Sequence, residues 1–117
     1  MPKSIVQDHA LRLAKTGVFL FIEMKKQKEF VISNQFLKSV TSIGANINEA
    51  LAAESRKDFI HKLSISLKEA RETEYWIKLL SETNLVSINT EQIIEELDST
   101  IAMLVTIINT SRKNSEP

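Results

Sequence analysis

Ser39-Val40-Thr41-Ser42-Ile43-Gly44-Ala45-Asn46-Ile47-Asn48-Glu49-Ala50 places its apolar residues at helical rather than strand intervals. With Phe36 before it and Leu51 after it, the set Phe36, Val40, Ile43, Ile47, Ala50 and Leu51 forms one stripe, the pattern of a helix buried along a single face. Ser42, Asn46 and Glu49 follow at i, i+4 and i+7 as a polar strip beside it. Ser33 or Asn34 is the expected N-cap, and the helix should stop near Glu54. Gly44 lowers helix propensity by about 1 kcal/mol relative to alanine, so its presence suggests close helix approach or a local bend.

Three more segments share this periodicity. Ser4 with Gln7 is a capping-box pattern opening a first helix over 5–28, with Val6, His9, Ala10, Leu13, Gly17, Leu20 and Met24 inward. Ser55 with Asp58 opens a long third helix to about Thr83, with Phe59, Ile60, Leu63, Leu67, Ala70 and Ile77 inward and Asn84 as its stop. Asn89 with Gln92 opens a fourth, whose Ile93, Ile94, Leu97, Ile101, Leu104, Val105 and Ile108 make the most regular stripe of the chain. Short connections join antiparallel neighbours, so the expected fold is all-α, an antiparallel up-down-up-down four-helix bundle. It should be a single domain over 1–117, with 113–117 frayed.

Composition narrows the chemistry. Two Gly and two Pro in 117 residues suit long helices, and the length suits one core. The absence of cysteine excludes disulfides, thiolate metal sites and cysteine nucleophiles. No apolar run reaches the roughly 20 residues of a membrane span and Met1-Pro2-Lys3-Ser4 opens no secretory signal, so a cytoplasmic protein without membrane contact is expected. Fifteen basic and fifteen acidic residues cancel, so any attraction to nucleic acid must be local.

The second-helix signature Ser42-Ile43-x-x-Asn46-Ile47-x-Glu49, followed by Ser55-Arg56-Lys57-Asp58-Phe59-Ile60 and Lys68-Glu69-Ala70-Arg71-Glu72-Thr73-Glu74-Tyr75-Trp76, resembles a known family. It is the four-helix-bundle family that includes proteins encoded in intervening sequences of bacterial 23S ribosomal RNA genes, together with the accessory proteins of diversity-generating retroelements. Gly44 stands where many relatives carry proline, and Leu51 near a position where many carry glycine. The resemblance implies the same bundle and assembly as ring-like homopentamers, and a non-enzymatic protein without a cofactor is expected. It also implies contact with structured RNA or an RNA–protein partner, although the nucleic-acid-binding relatives are strongly basic and this chain is neutral.

Three residue groups are candidates for function. Leu11, Val18 and Ile22 on the first helix, with Ile65, Trp76 and Leu79 on the third, lie away from the core stripes and suggest one self-association surface made by both helices. Glu74 falls by helical angle on the inward stripe, where a carboxylate needs partners; His9, Arg12, Asn46 and Arg71 could supply them as a structural polar cluster, or as a small-molecule or metal site. Arg56, Lys57 and Lys62 gather at the start of the third helix, where phosphate contact is plausible on charge grounds. The alternative to RNA contact is a protein–protein adaptor.

Other chemistries lack their parts. Asp58-x-x-His61 is one half of a helical di-metal motif and points away from the core, so no metal centre is expected. His9 and His61 have no accompanying nucleophile motif, and no glycine-rich phosphate loop exists. A third helix of about 28 residues, near 42 Å at 1.5 Å per residue, is too long for a helix-turn-helix reader.

Overall fold

A computed structural model describes the backbone of residues 3–115 and the side chains of residues 5–114. It contains four helices: α1 (Lys3–Lys26), α2 (Val31–Leu51), α3 (Arg56–Thr83) and α4 (Glu91–Ser115). The backbone of each helix closely approaches those of its sequence neighbours, α1 also approaches α4, and the diagonal pairs α1/α3 and α2/α4 make no such close backbone approach among the described residues. The helices therefore stand at the corners of a square in chain order. Side-chain register gives their sense: Gln7 near the start of α1 bonds Asn48 near the end of α2, Ser39 and Ile43 on α2 bond Thr73 and Ser66 on α3, and Thr16 on α1 bonds Gln92 on α4. Neighbours run antiparallel, and the result is a rod of 52 × 21 × 21 Å.

Local signals explain most helix ends. Ser55 Oγ accepts from the Asp58 N–H at 3.0 Å, and Asn84 closes α3 in the left-handed region at φ 54°. Asn89 Oδ1 accepts from the Glu91 N–H at 3.0 Å, opening α4. Helix α1 ends at Lys26: Lys28 adopts φ 65° while the Glu29 N–H bonds back to Met24 O at 3.0 Å, a left-handed closure without glycine. Ser4, the expected cap of α1, has a side chain outside the described residues, and Gln7 turns its amide to Asn48 instead.

The start of α2 differs from expectation. Neither Ser33 nor Asn34 caps it. The Glu29 carboxylate accepts from the N–H groups of Val31, Ile32 and Ser33 at 3.2, 3.3 and 2.6 Å, so α2 begins earlier, at Val31. Ser33, drawn inside the helix, is buried with its hydroxyl on Glu29 O. Helix α2 also ends at Leu51, before Glu54, and α4 continues through 113–115, which were expected to fray; residues 116–117 lie outside the described residues.

The core is the predicted stripes with corrections at their edges. Leu13, Met24, Phe36, Ile43, Ile47, Leu63, Leu80, Ile93, Leu97 and Leu104 are fully buried. Ile94, placed inward by periodicity, is exposed, while His9, Phe59, Ile60 and Leu67 are only half-buried. Between α2 and α3 the seam is made of small residues: Ser66 donates to the main-chain oxygen of Ile43 at 2.8 Å, and Thr73 Oγ1 lies 2.9 Å from Ser39 Oγ. Such contacts bring the helix backbones close, and no buried hydroxyl is left unsatisfied among the described residues.

Candidate functional site

This hydroxyl seam stands where a Glu74 cluster was expected. Glu74 retains 39% side-chain exposure and pairs with Arg71 of its own helix at 3.2 Å. Asn46 instead bonds Ser42 O at 2.9 Å, Arg12 is exposed on α1, diagonal to α3 across the bundle, and His9 sits half-buried on α1. The five residues do not converge, and neither a polar cluster nor a ligand cage forms from them. The cause is a rotation of the reading: the true inward face of α3 is Leu63, Ser66, Ala70, Thr73, Ile77 and Leu80. Discounting Ser66 and Thr73 as core residues tilts the stripe toward Glu74. Glu74→Ala is therefore expected to change stability by less than about 1 kcal/mol, as for a surface pair. Thr73→Val, by contrast, should cost about 1 kcal/mol for a buried hydroxyl bond, and urea unfolding of both variants distinguishes the two assignments.

The apolar outer faces are also rearranged. Leu11, Val18 and Ile22 are exposed as expected, joined by Phe19 at 68% exposure, which periodicity had not singled out. On α3, Ile65, Trp76 and Leu79 are half-buried, and Trp76 donates its indole N–H to Glu72 at 3.2 Å. Tyr75 is the exposed aromatic there, packed edge-on to Trp76 with centroids 5.1 Å apart. Because α1 and α3 occupy opposite corners, their outer faces point in opposite directions and cannot form one surface.

At one end of the rod the N-terminus of α3 lies beside the C-terminus of α4. Ala53, Glu54, Ser55, Arg56, Phe59 and Ser111 line a shared hollow. Arg56 is exposed where it lines the hollow, Lys57 is the exposed residue after it, and Arg112 and Lys113, the next residues of α4 after Ser111, are two further exposed cations. Lys62 does not belong with them. Its ammonium bonds Glu49 of α2 at 2.9 Å, and its side chain keeps only 28% exposure. The hydrogen bond to Glu49, then the charge of Glu49, hold its pKa above the ordinary lysine range despite desolvation, with Asp58 adding in the same direction. A folded-state pKa raised in this way stabilises at neutral pH and loses its effect only as pH rises through that raised value. Its pairing with Glu49 sets Lys62 apart from Arg56 and Lys57, whereas Arg112 and Lys113 are exposed on the last turns of α4, Lys113 within the stretch expected to fray.

The sequence profile of the 23S rRNA-intervening sequence protein family matches residues 2–106, nearly the whole bundle. The chain belongs to that family. It is also similar to a crystal structure of a protein of unknown function from the S23 ribosomal protein family of Bacteroides thetaiotaomicron VPI-5482. The two share 46% identity over 93% of this chain and 99% of that one, with a TM-score of 0.87. No curated protein sequence gives a significant match. Within the family's bundle, the signature residues Ser42, Asn46 and Glu49 have local work here: Ser42 Oγ bonds Lys38 O, Asn46 bonds Ser42 O, and Glu49 holds Lys62. Ser42 and Asn46 thus bond within α2, and Glu49 alone of the three reaches across to α3. Asp58 and His61 are both exposed, and no group of three or more His, Cys, Asp or Glu able to hold a metal occurs among the described residues. No helix is long and apolar enough to cross a membrane among the described residues.

Proposed function

We propose that this protein is a non-enzymatic scaffold that self-assembles in the cytoplasm and presents its basic end to structured RNA. The observation that carries the proposal is the run Leu11, Val18, Phe19 and Ile22, four exposed apolar side chains on one helix already packed on both its neighbours. An apolar face left open after the core is complete favours association with another surface. Five copies is the number implied by the family resemblance. Arg56, Lys57, Arg112 and Lys113 at one end support the RNA contact, since repetition around an assembly multiplies weak sites. RNA rather than duplex DNA is taken as the polyanion because the family resemblance implies contact with structured RNA.

The test is the mass of the assembly. Ile22→Glu places a charge in the apolar run without touching the core and should yield a folded, smaller species by light scattering, with helicity unchanged. An Ile22→Glu protein of wild-type mass would remove α1 from the contact, and failure of the wild type to bind any structured RNA at low salt would favour a protein–protein adaptor.

A further inference from the structure

On the face of the rod between α3 and α4, Ile77 and Leu97 floor a groove of about 360 Å³, with Ile94 exposed along its wall. Its rim is acidic: Glu74, Glu82 and Asp98 surround it against a single cation, Lys78. Lys78 lies 4.0 Å from Glu82, Glu74 pairs with Arg71, and Asp98 has no ion partner among the described residues. A groove of this kind suits an apolar ridge flanked by cations. Helix α1 carries one. Val18 and Ile22 are its centre, Lys15 precedes them, Lys25 follows, and Arg12 lies alongside; Lys26 pairs with Glu23 at 3.3 Å, and Asp8 is the other acid of that outer face.

We infer that the α1 ridge of one copy seats in the α3–α4 groove of a second copy, so that the contact between copies joins two different surfaces. This rests on the self-association proposed above and specifies its geometry. Spacing agrees: Lys15 and Lys25 lie ten residues apart, about 15 Å along α1, and bracket Val18 and Ile22, while Glu74 and Glu82 lie eight residues apart, about 12 Å along α3, and bracket Ile77. A small apolar ridge entering an apolar groove buries Ile94, and the flanking charges then meet opposite charges. Pairing α1 with α1 does the reverse. An antiparallel match centred between Val18 and Ile22 sets Lys15 against Lys25 of the other copy, like charge facing like.

Ridge and groove lie on different sides of the same rod, so each copy can bind one neighbour with each, a head-to-tail arrangement. The α3–α4 face excludes the α1 corner, so the two surfaces do not overlap and both can be occupied at once.

The chain has no cysteine, so single introduced thiols report contacts cleanly. Val18→Cys and Ile94→Cys variants, tagged differently, would be co-expressed and mildly oxidised, with wild-type mass measured in parallel. The expected result is a disulfide-linked mixed dimer in clear excess over both same-variant dimers, and a ladder of linked species from a chain carrying both substitutions. Predominant Val18→Cys self-crosslinking, or no crosslinking at either position while the wild type assembles, would overturn the head-to-tail contact and leave self-association standing. A monomeric wild type would instead remove self-association itself.

Discussion

Gly17→Val is expected to cost about 3 kcal/mol, the upper part of the range for overpacking a well-filled core. An ideal Cβ at Gly17 would lie 2.7 Å from Val40 Cγ1 and 3.1 Å from Cγ2. Val40 is β-branched within a helix and fully buried, so it has no free rotamer into which to withdraw. Helices α1 and α2 would have to separate. Gly44, on the same seam, predicts the opposite. A Cβ there meets Ala10 Cβ at 3.5 Å, an ordinary contact, so Gly44→Ala should stabilise by up to about 1 kcal/mol through helix propensity. Urea unfolding of both variants checks the contrast, and Gly17→Ala combined with Val40→Ala should be more stable than the sum of the single changes predicts. Equal stability of Gly17→Val and wild type would show that α1 and α2 do not approach this closely.

Removing the four end cations should have the largest effect on ligand binding. With Arg56, Lys57, Arg112 and Lys113 all changed to Ala, affinity for structured RNA at low salt should fall by about tenfold or more, and the dependence of affinity on salt should flatten, because fewer counterions are released. All four residues are exposed, so fold and assembly mass should be unchanged. Lys62→Ala serves as the control. Its ammonium is committed to Glu49, so RNA affinity should change by less than about twofold. Equal RNA binding by the quadruple variant and wild type would move the contact elsewhere, and a strong effect of Lys62→Ala alone would restore the original set.

Much of this arrangement is legible in residue order. Ser55 with Asp58, and Asn84 as a left-handed stop, mark the ends of α3 because their physics is local: one side chain satisfies one nearby backbone group. The start of α2 is not legible in the same way, since Glu29 caps from outside the helix only after Lys28 has turned to positive φ. Glu74 was misplaced for a different reason. Hydropathy treats serine and threonine as surface residues, yet Ser39, Ser66 and Thr73 are buried because each finds a hydroxyl or carbonyl partner at the α2–α3 seam.

The candidate interfaces divide along the same line. Exposure of Leu11, Val18 and Ile22 follows from the α1 period alone. That α1 and α3 face apart depends on which helices are diagonal, and that Lys62 is neutralised depends on the register of α3 against α2. The end of α4 comes beside Arg56, with Ser111 lining the same hollow, only because of antiparallel packing. These are tertiary facts, beyond the reach of any one helix's pattern.

Self-assembly is the claim on which the rest depends, and light scattering on size-separated wild-type protein across micromolar concentrations tests it most directly. The expected result is a single species with a mass that is a multiple of the 13.3 kDa chain, five chains being the number the family resemblance implies. A particle of 13.3 kDa throughout that range would contradict the account.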